Sequence, residues 1–233
     1  MNNIISIITP VLDEEENIEP FLSNLNKLEG NYELIFVDGG SRDGTLEEIE
    51  RCRDRFHNKL TLLTPGPGRA VQMNKGAEVA EGDILLFLHV DCILTKDSLG
   101  IVNEKMKDKN AVGGGFIQAF SKSGQFLEFL SYFGNLRVKF TKTFYGDYGI
   151  FLKKDIFDDI GGYDIIPFLE DVEICKKAKK RGKLIRIQRK IYTSPRRFSS
   201  KGNIRLTIAF ILANFLNIFG LRPGFLVKYI VEK

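Results

Sequence analysis

Cysteine, histidine and long apolar runs are all scarce in this chain. Its 233 residues hold three cysteines, Cys52, Cys92 and Cys175, far apart and without a CxxC pair. That pattern argues against a structural zinc site or a disulfide framework and fits a reducing compartment, so a cytoplasmic protein is expected. Of the two histidines, His57 lies in the polar stretch RFHNK and reads as a surface residue, so no Ser-His-Asp set can be assembled. The opening MNNIISIITP has neither a basic leader nor a long apolar core, and no signal peptide is expected. The apolar stretch LTIAFILANFLNIF at 206–219 has fourteen residues, fewer than the roughly 20 a bilayer span needs.

What is present reads as a globular chain, 43% hydrophobic and 27% charged, long enough for one large domain or a domain with an appendage. The net charge of +4 conceals a division. From Ile174 to Lys233 there are sixteen Lys and Arg against one acid, while the rest carries eighteen bases against 29 acids. A basic C-terminal quarter on an acidic body favours anionic partners such as phosphates or a membrane surface. Nucleic acid is not expected, because the body is acidic and no nucleic-acid motif is present.

Short β-branched or aromatic runs at 4–8, 32–37, 60–63 and 83–88 read as strands, separated by amphipathic stretches. Ile18, Phe21, Leu22, Leu25 and Leu28 recur at helical spacing, and small residues around Arg69 to Ala80 suggest a helix packed closely on a sheet. The alternation predicts an α/β fold, a mainly parallel central sheet with helices on both faces. The four strands end in TPVLDEEEN, VDGGSRDGT, TPGPGRA and HVD. Any one of these could be a turn or a helix cap. Four loaded strand ends on one sheet edge are better explained by a ligand site. Further on, AVGGGFIQAF (111–120) reads as a glycine-weakened strand that something approaches closely, and FLEDVEICKKAKKRGK opens a helix with two acids.

The segments TPVLDEEENI, VDGGSRDGT, RAVQMNKGA, DILLFLHVD and LEDVEICKKAKKRGK, in this order and spacing, resemble family 2 glycosyltransferases. The resemblance covers about residues 4–200 and is closest to a compact bacterial subgroup with HxD in place of DxD. It implies the glycosyltransferase A fold over residues 1–202. It also implies inverting transfer of a sugar from a nucleoside-diphosphate sugar, UDP-sugars favoured, to an acceptor hydroxyl. Pro10, Val11, Glu14, Asp38 and Arg69 would then lie on the nucleotide side. Asp91 would meet the diphosphate through Mg2+ or Mn2+, with His89 a second ligand or an orienting group. Asp171 would be the general base beside Glu170, and Asp147 and Tyr148 would lie near the acceptor. Relatives carry Gln after this Gly-Asp pair, where this chain has Tyr148.

Arg196 and Arg197, in SPRRFSSKGNIR, suit phosphate oxygens and are expected to close over the donor diphosphate. Residues 203–233 form a basic, apolar segment that must be buried on the domain, in a homodimer, or at a peripheral membrane surface where a lipid-linked acceptor would be presented. A relative that binds a nucleotide or lipid phosphate with little catalysis is the alternative reading.

Overall fold

The alternation of strand-like and helix-like stretches becomes, in the computed structural model, one eight-stranded sheet with helices on both faces. The structure describes residues 4–122 and 124–196. The elements are β1 (Ile5–Val11), α1 (Glu15–Leu25), β2 (Tyr32–Asp38), α2 (Thr45–Arg53), β3 (Leu60–Leu63), α3 (Arg69–Val79), β4 (Ile84–Phe87), β5 (Cys92–Ile93), α4 (Ser98–Lys105), β6 (Ala111–Phe120), α5 (Gln125–Thr141), β7 (Ile150–Lys153), α6 (Lys154–Asp159), α7 (Glu170–Lys179) and β8 (Lys183–Thr193). A single 3-10 turn, Gly146–Tyr148, precedes β7. Arg197 and the segment 203–233 lie outside the described residues.

The strand order is β3-β2-β1-β4-β7-β6-β8-β5. The first four strands are parallel, as the crossover pattern requires. β7 departs from the expected parallel scheme, since it pairs antiparallel with both β4 and β6. The reversal matters for function. An antiparallel β7 begins at the edge where β1, β2 and β4 end, so it carries the Gly146–Tyr148 turn to that edge. β8, parallel to β6, brings its own end there as well.

The two sheet faces bury separate cores. One joins Ile18, Phe21, Leu22 and Leu25 of α1 with Ile49 of α2 and Leu99 and Val102 of α4. The other joins Ala70, Met73 and Ala77 of α3 with Phe157 of α6 and Ile174, Cys175 and Ala178 of α7. The small residues of α3 are there for proximity: a β-carbon at Gly76 would collide with Ile8 of β1. The weakened strand behaves as its glycines predict. β-Carbons at Gly113 and Gly114 would meet the carbonyls of Phe151 and Ile185, and one at Gly115 the ring of Phe144.

Candidate active site

The loops after β1 and β2 are tied to each other by backbone N–H groups, which donate to one carbonyl and three side-chain oxygens. Gly39 N–H donates to the Val11 carbonyl (2.9 Å), Asp13 N–H to Ser41 Oγ (2.9 Å), and Arg42 N–H to Asp13 Oδ1 (2.7 Å). Glu14 N–H donates to Thr45 Oγ1 at 2.8 Å. Asp13 holds its place with a positive φ of 53°, so it ties two loops together rather than capping α1. Asp38 is buried and accepts from Gly40 N–H (2.8 Å), Ser41 N–H and Ser41 Oγ. Its carboxylate therefore shapes its own loop, and a nucleotide base would share oxygens already in use. Pro10 and Val11 end β1 beneath these loops.

Sequence reading did not single out Gln72. Its buried amide donates to the carbonyls of both Val11 (2.9 Å) and Val37 (2.7 Å), fixing the ends of β1 and β2 from below. Gly39 is small because that amide packs against it. The signal was present, a glutamine facing the sheet within a run of small residues in α3.

The HVD segment is not an extended strand. β4 ends at Phe87, and Cys92 N–H bonds back to the His89 carbonyl at 3.0 Å, closing a turn over 89–92. The turn buries Val90 and Cys92 and leaves His89 and Asp91 half-exposed. Burial, then the nearby carboxylates of Asp91 and Asp147, push the Cys92 thiol well above its usual range. Asp91 and Asp147 are thus both close to one buried sulfur.

Gly146 joins two candidate groups that are distant in sequence. Its N–H donates to Asp171 Oδ2 (2.9 Å), while on its other side a β-carbon would collide with His89 Nε2. Asp171, at the start of α7, also accepts from Val172 N–H at 2.7 Å. Burial, reinforced by the adjacent Glu170 carboxylate, raises the Asp171 carboxyl to about 7 against the opposing pull of the two amides and Arg69. Glu170 is buried and pairs with Arg69 at 3.5 Å. Arg69, expected on the nucleotide side, reaches from the N-terminus of α3 to Glu170.

One expectation changes, and another acquires a partner. Tyr148, expected beside the acceptor, is a core residue, packed with Phe144 and directed at Gly134 of α5. It ends the 3-10 turn before β7, and there its side chain is buried. Arg196, expected over a diphosphate, forms a two-pronged ion pair with Glu14, one arm of which measures 2.8 Å. Glu14 and Arg196 therefore meet at the rim of the β1 loop, and an arriving diphosphate would compete for the guanidinium.

Among the described residues no three His, Cys, Asp or Glu side chains converge to hold a metal. No helix among them is long and apolar enough to cross a membrane. The site is a sheet edge with two linked loops on one side and an acid pair, Glu170 buried and Asp171 half-buried, on the other. This arrangement, with its sheet order, is that of the glycosyltransferase A fold.

The chain belongs to glycosyl transferase family 2, whose model matches residues 6–163, and it is a glycosyltransferase. It is 26% identical to glycosyltransferase AglE of Haloferax volcanii over 96% of this chain and 82% of that relative. Among solved structures it is similar to the mannosyltransferase PcManGT from Pyrobaculum calidifontis in complex with GDP-Man and Mn2+. That match has TM-score 0.74 and 19% identity, covering 98% of this chain and 69% of the other. S. aureus TarS 1–349 in complex with UDP-GlcNAc matches at TM-score 0.63 and 18% identity, over 90% of this chain and 66% of that one.

Proposed function

We propose that the chain inverts the anomeric centre it transfers, moving a sugar from a nucleoside diphosphate, UDP favoured, to an acceptor hydroxyl with Asp171 as general base. The state of Asp171 carries this reading. A carboxyl raised to about 7 is half-ionised near neutral pH, the range in which a base both exists in the right form and accepts a proton effectively. The amides of Gly146 and Val172 fix its orientation. With a single base, the acceptor hydroxyl gives its proton to Asp171 while its oxygen bonds to the anomeric carbon and the bond to the diphosphate breaks, so the transfer takes one step and inverts the centre. Glu170, tethered by Arg69, is suited to reading sugar hydroxyls.

The loops of Pro10, Val11, Glu14 and Asp38 would receive the nucleotide, and Arg196, on leaving Glu14, its diphosphate. Asp91 and His89 would hold Mg2+ or Mn2+, with Asp147 close by. The carboxylate oxygens fit a hard divalent ion, and the diphosphate would complete its shell. Such an ion neutralises charge growing on the leaving group. The complexes of fold relatives with GDP-Man and Mn2+ and with UDP-GlcNAc support this donor class. Residues 1–202 would form the catalytic unit, working in the cytoplasm.

The test is Asp171→Asn. It should lose transfer while titrating UDP as the parent protein does. Retained turnover would remove Asp171 from the base role, and lost UDP affinity would make it a binding residue instead.

A further inference from the structure

Two helices grip the segment that carries Gly146, and the proposed reaction uses only one of them. On α7, Asp171 and Cys175 are four residues apart and so share a helix face. Asp171 accepts from Gly146 N–H at 2.9 Å, and Cys175 Sγ accepts from Phe144 N–H at 3.4 Å. The other grip comes from α5, itself fixed to β6 where Ser131 and Asn135 bond to Gln118. The Arg137 guanidinium of α5 lies over the Tyr145 ring, 3.9 Å from its centroid. The Tyr148 hydroxyl packs on α5 at Gly134, where a β-carbon would collide with it. Gly134 lies one turn before Arg137, and helical side chains lean toward the N-terminus, which brings the guanidinium beside that hydroxyl. Burial, then the Asp147 carboxylate, raise the Tyr148 phenol, and Arg137 opposes them. The Tyr145 and Tyr148 rings stand edge to face, 6.4 Å between centroids.

We infer that Arg137 is a positioning residue for the transfer: its guanidinium clamps the Gly146–Tyr148 turn through both tyrosines and so holds the Gly146 N–H against Asp171. The inference rests on Asp171 as general base. Arg137 is half-buried, and taking a cation partly out of water costs stability unless fixed partners compensate. Here the two tyrosines that flank Gly146 and Asp147 are those partners. The guanidinium is planar, so it can lie on the face of Tyr145 and still present N–H groups at its edge toward Tyr148. The turn's internal bonds, Tyr148 N–H to the Tyr145 carbonyl (3.0 Å) and Gly149 N–H to the Gly146 carbonyl (3.2 Å), shape it without placing it on the sheet edge. Gly146 N–H also lowers the Asp171 carboxyl against its burial. The clamp therefore bears on both the direction and the basicity of the base.

The test is Arg137→Met in the full chain, which keeps the long apolar stem and removes the plane and the charge. With isotope-labelled glycine, the Gly146 amide should exchange its proton for deuterium at least about tenfold faster. The rate at saturation should fall by about 10–100-fold with donor KM within about twofold, because small misplacements at the chemistry are costly. The rising limb of the pH–rate profile should move to higher pH, since a weakened Gly146 bond no longer lowers the Asp171 carboxyl. Tyr145→Leu should cause the same losses, and Tyr145→Phe, which keeps the ring face, smaller ones. The double variant Arg137→Met/Tyr145→Leu should lose no more than either alone. Unchanged exchange at Gly146, an unchanged rate at saturation, or losses that multiply in the double variant overturn the inference. Faster exchange and a slower rate with a limb that stays in place sink the base assignment instead: the clamp stands, and the limb belongs to another group.

Discussion

From β1 to β4 the loops at the sheet edge are held by backbone N–H groups, most of them donating to side-chain oxygens of the facing loop, with Gln72 closing the arrangement from beneath. From β7 onward the edge is held by side chains packed against glycines: His89 against Gly146, Tyr148 against Gly134. The first construction leaves amides and carboxylates already paired, which suits a stable cradle for a large ligand. The second half-buries Asp171 beside Glu170 and raises its carboxyl, which suits proton transfer. Sensitivity should therefore divide accordingly. Changes on the acid side should cut rate, and changes on the loop side should cut stability and donor affinity.

The sharpest way to break that division is Asp171→Asn. Its turnover should fall by roughly 10²–10⁴-fold with UDP affinity kept, measured by initial rates beside calorimetric titration. Next is Gly146→Ala. The added methyl must move His89 or the turn, and because a 1 Å misplacement near the chemistry is enough to cost about 10²-fold, the rate should drop by that order. Adding His89→Ala to this variant should relieve the collision, and a thermal melt should show recovery of stability whatever the rate does.

His89→Ala alone should weaken Mn2+-dependent nucleotide binding by about 10–100-fold if the ring ligates or orients the ion. Binding unchanged in a titration with and without Mn2+ would reduce His89 to a packing role. The pH profile follows in size. The base must be ionised, so the rate should rise about tenfold per pH unit up to near 7 and then level. Glu170→Gln removes a neighbouring negative charge and leaves Arg69 facing Asp171, so the rising limb should move to lower pH. A limb that stays in place would mean that it belongs to another group.

Smallest in rate is Gln72→Ala. The Val37 carbonyl loses its side-chain donor inside the protein, at about 1–3 kcal/mol. At roughly 2–4 °C per kcal/mol this should lower Tm by several degrees, with nucleotide affinity falling more than the rate at saturation.

Most of the loop half could be read from the sequence. Its strands are short and β-branched, its helices amphipathic, and its loops announce themselves with Gly and Asp. β3 at 60–63 and β6 at 111–120 carry the boundaries their patterns predict. The acid half was less legible because long-range geometry decides it. Nothing in YGDYGIF says that the strand runs antiparallel, or that Tyr148, in the turn before it, is buried against α5. β8 alternates as KLIRIQRKIYT yet has four Lys and Arg among its eleven residues, which masks a half-buried strand. The meeting of Glu14 with Arg196 joins positions 182 apart, beyond the reach of any local pattern. Asp171 was legible as half of an acid pair at a helix start. What gives it a raised pKa is the burial around it, which the tertiary packing supplies.

The Glu14–Arg196 pair also has a consequence for synthesis. The loop that opens the candidate donor site is tied by Arg196, three residues beyond β8, and β8, the penultimate strand in spatial order, must arrive before two-residue β5 has anything to pair with. A nascent chain stopped after α7 could form the four parallel strands and the loops that link them, yet it would lack this tie and the far edge of the sheet. Closure of such distant contacts comes late in folding. The rim of the candidate site is thus among the last parts of the domain to form.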